Sequence, residues 1–293
     1  MKTLIIYTSY ICNENCVFCI EHSSIKKQSL TFEDIKDNIE SVIPEVDRIM
    51  ISGGEPLLYP NFKDLVSYIY EQGFKGKFVV ETNCSKMTSE TIDFLKEITE
   101  GHLTIMSSLH GIEPIHDKLI QRKGSFAERI EGFKIVKGAN IPLRINSVIT
   151  SDNVYKIKAL YDFVKSDIKP DVMQFSLLDY IGMAKEAYPE YMEFNVLKEE
   201  ITKLFSSLGP DDKIMLERIP ACILDEKYHD HILVDEYRFN ISEYILLTPD
   251  RGFFRYANKP NKNDSCNSCS RINRCFGVYP ATPEGWFQYS PIK

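Results

Sequence analysis

Three cysteines stand close together near the start of the chain, in Cys12-Asn13-Glu14-Asn15-Cys16-Val17-Phe18-Cys19, separated by three residues and then by two. Three thiolates on one short loop can each grip one iron of a four-iron cubane and leave the fourth iron open, because soft thiolates are the ligands of iron–sulfur clusters. A structural zinc site instead needs four closed ligands, and the fourth donor would be His22, three residues past the last thiol. A second set lies near the C-terminus, where Cys266, Cys269 and Cys275 read Cys-x2-Cys-x5-Cys and Cys222 supplies a fourth thiol from upstream. Four thiolates saturate either a zinc ion or a second cluster, and the residues alone leave that choice open. Eight cysteines, six of them in two tight groups, fit metal ligation in a reducing compartment better than a secreted disulfide framework. Cys84 is left over.

Apolar runs alternating with amphipathic stretches supply the frame for these groups. Strands are expected at Leu4–Thr8, Val46–Ile51, Phe78–Glu81, Leu103–Ser107, Leu143–Ile149 and Val172–Leu177. Helices are expected at Thr31–Ile43 with Thr31 as N-cap, Asn61–Gln72 ended by Gly73, Thr88–Ile98, Ser125–Lys137 ended by Gly138, Val154–Lys165 and around Val196–Leu208. Strands alternating with helices at this spacing predict parallel βα units in an open or closed barrel. Gly209-Pro210-Asp211-Asp212 is a turn cluster that breaks the pattern. Beyond it, Tyr244–Thr248 and Gly252–Tyr256 flank Pro249-Asp250-Arg251 and read as a β-hairpin, followed by a small metal-stapled tail.

In this order the landmarks resemble the radical S-adenosylmethionine (radical SAM) superfamily. The triad follows the first strand; Ser52-Gly53-Gly54-Glu55-Pro56, after the second, is similar to the GGEP motif; Glu81-Thr82-Asn83 closes the third strand. Ser107-Ser108-Leu109-His110-Gly111, then Val148-Ile149-Thr150 with Asn153, then Gly182-Met183-Ala184 continue the likeness, which covers residues 3–184. The resemblance implies an α/β fold: a partial (β/α)6 barrel over residues 1–210 and a small Fe–S-binding extension over residues 211–293. It implies a 4Fe–4S cluster on Cys12, Cys16 and Cys19, with S-adenosylmethionine on the open iron. Reductive cleavage of that cofactor would yield a 5′-deoxyadenosyl radical that abstracts hydrogen from substrate. Phe18 would lie by the adenine, Gly54 would hold the methionine amino group within Gly53-Gly54-Glu55-Pro56, and Asn83 and Ser108 would contact the cofactor.

The second cysteine pattern resembles the SPASM/twitch extension, whose auxiliary clusters are of the 4Fe–4S type. Five thiols remain after the triad, so only one auxiliary cluster is fully ligated, on Cys222, Cys266, Cys269 and Cys275, which favours electron transfer over substrate ligation. Cys84, where relatives usually have Gly, is expected at the mouth of the barrel, either as a hydrogen donor to a substrate radical or as a small tolerated residue. Thr82 and Arg144 are the substrate candidates, Arg144 for an anionic group or as a solvated strand end. Arg144-Ile145-Asn146 stands where the molybdenum-cofactor cyclase branch has Lys-x-Asn, but the auxiliary cysteines and the chain end depart from that branch, so its cyclase activity is rejected. His116-Asp117 and Arg122 read as a solvated loop.

Composition sets the outer bounds. A 293-residue chain with 43% hydrophobic and 26% charged residues is globular rather than disordered. A net charge of -7 argues against a nucleic-acid or anionic-membrane surface. The start of the chain has too short an apolar run for a signal peptide and no later segment reads as a membrane span, so a cytoplasmic protein is expected. Six cations between Arg251 and Cys275 against Asp264 either offset a thiolate-rich cluster or form a docking patch for a flavodoxin or ferredoxin electron donor. For the substrate, the first expectation is a ribosomally made peptide to be crosslinked or epimerised. The start of the triad at residue 12 leaves no room for a peptide-recognition domain ahead of it, which counts against that expectation. A sugar, aminocyclitol or nucleotide in a compact polar pocket is the alternative. A zinc-stabilised binding protein without catalysis is the third.

Overall fold

The computed structural model describes residues 2–20, 28–233, 243–256, 261–262, 264–288 and 292; His22, Lys259 and the side chain of Arg274 lie outside the described residues. Six strands alternate with helices as the periodicity predicts: β1 Lys2–Tyr7, β2 Arg48–Ser52, β3 Lys77–Glu81, β4 Leu103–Ser108, β5 Leu143–Ile149 and β6 Val172–Leu177. Each pairs in parallel with the next. The main crossovers are α1 Phe32–Ile39, α2 Phe62–Glu71, α3 Ser89–Ile98, α4 Ile115–Ile120, α5 Ser125–Gly138 and α6 Ile157–Phe163; the six-residue α4 has no counterpart in the sequence reading.

Local chemistry sets the helix ends. Thr31 accepts the Asp34 N–H at 3.0 Å while Asp34 accepts the Thr31 N–H at 3.2 Å, a reciprocal cap for α1. The helix stops at Ile39, short of the expected Ile43, and Pro44 occupies the 3-10 turn Ile43–Glu45 that follows.

Past residue 210 the structure departs from the expected break. After α7 Met183–Ala187 and α8 Phe194–Ser206, two more strands, β7 Ile214–Glu217 and β8 Ile232–Leu233, extend the same sheet in parallel. Four and two residues are too few for a periodicity to show. The expected hairpin forms as β9 Glu243–Thr248 and β10 Gly252–Tyr256, antiparallel to each other, and β9 joins the opposite edge in parallel with β1. The order is therefore β10-β9-β1-β2-β3-β4-β5-β6-β7-β8, an open sheet.

Alternate residues of the strands divide between two faces. Leu4, Ile6, Ile49, Ile51, Phe78, Val80, Ile105, Leu143, Ile145 and Phe175 are fully buried in the main core with the helices. The intervening positions, Ser52, Glu81, Ser108, Asn146, Gln174, Ser176 and Glu217, face the lumen of the partial barrel, and hydrogen bonds link most of them across neighbouring strands. Among the described residues no helix is long and apolar enough to cross a membrane.

Candidate active site

The loop carrying Cys12, Cys16 and Cys19 leaves the C-terminal end of β1 and is held from three sides. Asn15 and Val17 donate their N–H groups to Ile120 and Leu119 at the end of α4, at 3.2 and 2.9 Å. Gly54 and Glu55 donate theirs to Ser9 and Ile11, at 2.7 and 2.8 Å, directly ahead of Cys12. Met183 donates to the Cys19 carbonyl at 3.3 Å, and Gly182, at φ +57, packs on the same carbonyl. Burial pushes the Cys12 thiol up to about 11 and the Cys16 thiol higher still, and both sense the charge of Cys19. As free thiols both would stay protonated near neutrality, so a metal's charge is what would ionise them. A cubane asks each thiolate to reach a different iron, and three neighbouring soft donors on one anchored loop fit that group.

The Gly53-Gly54-Glu55-Pro56 turn admits no side chain at its glycines. A Cβ at Gly53, φ +131, would stand 2.4 Å from the Ser9 carbonyl oxygen, and one at Gly54 would stand 2.2 Å from that of Ile11. Glu55 is buried, and both of its oxygens are used within the protein: Oε1 accepts from Leu57 N–H at 2.9 Å and the Thr82 hydroxyl at 2.7 Å, and Oε2 accepts from Asn83 N–H at 2.7 Å. Thr82, expected to meet substrate, is instead buried with its hydroxyl bound to Glu55 and accepting the Cys84 N–H. Asn83 donates to Asn13 at 2.8 Å and accepts from Ser85, which ties the end of β3 to the cysteine loop.

Phe18, Val148 and Ala184, which the sequence scatters over three motifs, come together in one apolar group with Leu178 and Tyr188. His110 meets Phe18 edge to face, ring centres 4.7 Å apart. Burial lowers the His110 pKa to about 3, so its ring is neutral, with Nδ1 accepting from Val148 N–H at 3.1 Å. The loop of His116 and Asp117 is not a solvated one. His116 is fully buried with Nδ1 accepting from His110 N–H, and Asp117 accepts from Gly124, Ser125 and Phe126 at the start of α5.

The lumen carries a polar ring that no motif announced. Ser52 donates to Glu81 at 2.7 Å; Ser176 donates to Asn146 at 2.7 Å and to Glu217 at 3.2 Å; Gln174 donates to Ser176 and Glu217 and accepts from Arg144 Nε at 2.8 Å. Arg144, expected to grip an anion, thus lies bonded to Gln174, and its charge reaches Glu81. Glu81 is enclosed by protein yet open to solvent, which places it on a cavity wall. Burial raises its pKa above the ordinary 4.5, with Ser52 and Arg144 opposing. The folded chain therefore holds this proton where the unfolded chain has released it, and stability falls as pH climbs from about 4.5 through the raised value. Glu81→Gln is expected to melt at a higher temperature than wild type at pH 7.5, the difference closing below pH 4 in thermal scans; an unchanged midpoint at pH 7.5 would count against this.

Cys84 does not open onto this lumen. It lies 1% exposed in the main core, at φ +61, with Gly132 of α5 pressed on its backbone. Burial pushes the thiol up to about 12. A hydrogen donor at the barrel mouth needs access that this position lacks.

Arg218 ties the strand end ahead of Cys222 to the segment that follows Cys275. Burial raises the Cys275 pKa, the charges of Cys266 and Cys269 add to that, and Lys262 opposes it. Arg218, at the end of β7 and just ahead of Cys222, donates to the Phe276 and Val278 carbonyls at 3.1 and 3.4 Å and lies over the Phe276 and Tyr279 rings. Tyr279 reaches the lumen, donating to Glu217 at 3.4 Å. Much of the basic run is engaged locally: Arg255 pairs with Glu243 and Glu45, Arg251 with Asp250, and Lys262 with the Ile272 carbonyl.

The sequence pattern of the Radical SAM superfamily matches residues 6–164, more than half of the chain. The chain belongs to that superfamily. It is 28% identical over 158 residues to the AdoMet-dependent heme synthase of Methanosarcina barkeri, a match covering 53% of this chain but only 44% of that protein. A GTP 3′,8-cyclase of Rhizobium leguminosarum is 24% identical over 275 residues, 91% of this chain and 71% of the cyclase. The structure of Streptococcus suis SuiB bound to precursor peptide SuiA shares the fold, with a TM-score of 0.66 at 18% identity, over 94% of this chain and 71% of that one. Membership of that superfamily implies a 4Fe–4S cluster and S-adenosylmethionine. Within that family frame, the residues that motif reading missed are Glu14, Arg129, Gln174 and Glu217. Each belongs to a contact between strands or loops distant in sequence, so no local spacing could reveal it.

Proposed function

We propose that this radical SAM enzyme holds its first cluster on Cys12, Cys16 and Cys19 and acts on a small polar substrate bound in the lumen. The bound cofactors supply a 5′-deoxyadenosyl radical that takes a hydrogen atom from substrate, and the protein orients and encloses the reaction. Phe18, Val148 and Ala184 offer an apolar face for the adenine, and the Gly53–Gly54 backbone a side-chain-free edge for the methionine amino group. Glu55 and Asn83 act from behind by holding that edge and the cysteine loop in place.

The observation that carries the substrate reading is the lumen ring. Glu81, Glu217 and Ser108 all end their strands on the side of the cysteine loop, the side that carries active sites in this architecture. The ring is compact and Tyr279 closes on it, which supports the small-molecule alternative over an extended peptide. The acids Glu81, Glu217 and Asp179 stand here with the cations Arg144 and Arg218, and burial raises the Glu81 pKa and brings that of Asp179 to about 6. Hydrogen-bonding groups of this kind suit an amine- or hydroxyl-bearing substrate such as an aminocyclitol or amino sugar. Reduced, cluster-loaded enzyme is expected to form 5′-deoxyadenosine faster with the dialysable metabolites of a cell extract than without them. Acceleration by the peptide fraction alone would return the assignment to a peptide substrate.

We further propose that Cys222, Cys266, Cys269 and Cys275 hold a second 4Fe–4S cluster that relays electrons, with a flavodoxin or ferredoxin as donor. The support is the hydrogen bond from Arg218, ahead of Cys222, to the segment after Cys275, and the reach of Tyr279, four residues past Cys275, to Glu217 in the lumen. A Cys266→Ala/Cys269→Ala variant should lower iron from about eight to about four per chain. About four irons with one zinc already in the wild type would make the site structural and end the relay reading.

A further inference from the structure

Midway between Cys12 and Cys16, Glu14 turns inward and meets Arg129 of α5. Arg129 Nη2 donates to both Glu14 oxygens, at 2.7 and 2.5 Å, with the two side chains 0% and 3% exposed. Arg129 Nη1 donates to the Ser108 hydroxyl at 2.8 Å and to the Ser108 carbonyl. Arg122 adds a longer contact to Glu14, at 3.5 Å. Stability alone does not account for this arrangement. A buried ion pair offsets its desolvation only when its remaining polar atoms are satisfied, and apolar residues of equal volume often hold a fold as well or better. Here the Nε groups of Arg129 and Arg122 are buried without a partner among the described residues. What two charges can do that two apolar groups cannot is act on the thiols beside them. Glu14 stands two residues from each of Cys12 and Cys16, and Arg129 is bonded to it.

We propose that Arg129 is a positioning residue for the SAM-binding cluster: through Glu14 and Ser108 it fixes the middle of the cysteine loop, and the balance of the two buried charges sets the reduction potential there. The inference rests on the assignment of that cluster to Cys12, Cys16 and Cys19. Cluster potentials follow net charge and hydrogen bonding around the sulfurs, so the two partners make opposite predictions.

The test is a potentiometric EPR titration of the full-length, cluster-loaded protein, following the reduced-cluster signal that changes on adding S-adenosylmethionine. Glu14→Gln, which leaves the arginine's charge, is expected to raise the midpoint. Arg129→Met, which leaves the carboxylate's charge, is expected to lower it, while Arg129→Lys stays nearer the wild type. Loss of packing alone would move both variants the same way or neither, and either result overturns the proposal. Should Arg129→Met take up no iron, Glu14→Gln/Arg129→Met strands no charge, and its midpoint must lie below that of Glu14→Gln; equal midpoints overturn the proposal. A wild-type protein with no SAM-responsive signal removes the cluster assignment itself, a failure distinct from equal potentials in loaded proteins.

Discussion

Alanine at Cys12, Cys16 or Cys19 is expected to abolish S-adenosylmethionine cleavage, lowering 5′-deoxyadenosine formation at least ~1000-fold, about 4 kcal/mol of barrier. The loop offers no replacement ligand. Glu14 is the one carboxylate between the thiols, and it is engaged by Arg129. Asn13 is tied to Asn83 and Ser85. Iron should fall from about eight to about four per chain, with the remainder on the C-terminal set. Cys84→Ser is the internal control: a thiol buried in the core and away from the lumen should leave iron content and cofactor cleavage close to wild type. Cleavage that survives in any triad variant at more than a few per cent would refute the placement of the cluster. A Cys84→Ser protein with full iron but no substrate turnover would restore that thiol to the mechanism.

The second large effect should come from a single methyl group. In Gly54→Ala the new Cβ would lie 2.2 Å from the Ile11 carbonyl oxygen and 2.8 Å from the Tyr10 carbonyl carbon. These are backbone atoms, so no rotamer change relieves the overlap, and the next residue along is Cys12. Overpacking of this kind costs roughly 3 kcal/mol, which in a chain of this size lowers the melting temperature by about 6–12 °C. Because the displaced segment leads into the cysteine loop, iron uptake and cofactor binding should fall with it. Gly73→Ala provides the contrast. Gly73 has a positive φ, +82, which Gly54 lacks, but nothing lies within 4 Å of the added carbon, so only the conformational penalty of about 1 kcal/mol applies. Equal melting temperatures for the two variants, measured by calorimetry, would mean that the Gly54 loop yields freely and does not hold Ile11 in place.

Much of the frame and part of the site were legible in the residues. Strands such as Leu143–Ile149 and Val172–Leu177 announce themselves because side chains alternate between two faces over six or seven residues. The hairpin around Pro249-Asp250-Arg251 does so because turn residues interrupt two apolar runs. The two cysteine sets are visible because ligand spacing is a local property of the chain. The four-residue β7 and two-residue β8 are too short to carry a period; β7 adds to the edge of β6, and β8 to that of β7.

The face on which a side chain ends is a different matter. Cys84 follows a motif that points to the barrel mouth, yet a left-handed turn at φ +61 and the close approach of α5 put its thiol in the core. Arg144 reads as an anion grip until its neighbours on β6 and β3 are known. Glu14 and Arg129 are unremarkable apart, one in a loop and one in a helix, and become a buried pair only when the β4–α5 crossover lies behind the cysteine loop. The sequence by itself determined the family and the βα frame, since motifs and apolar alternation depend on spacings within a few residues. Only the tertiary structure decided which polar groups face the lumen and which charges sit behind the thiols, because those contacts join residues that the chain holds far apart.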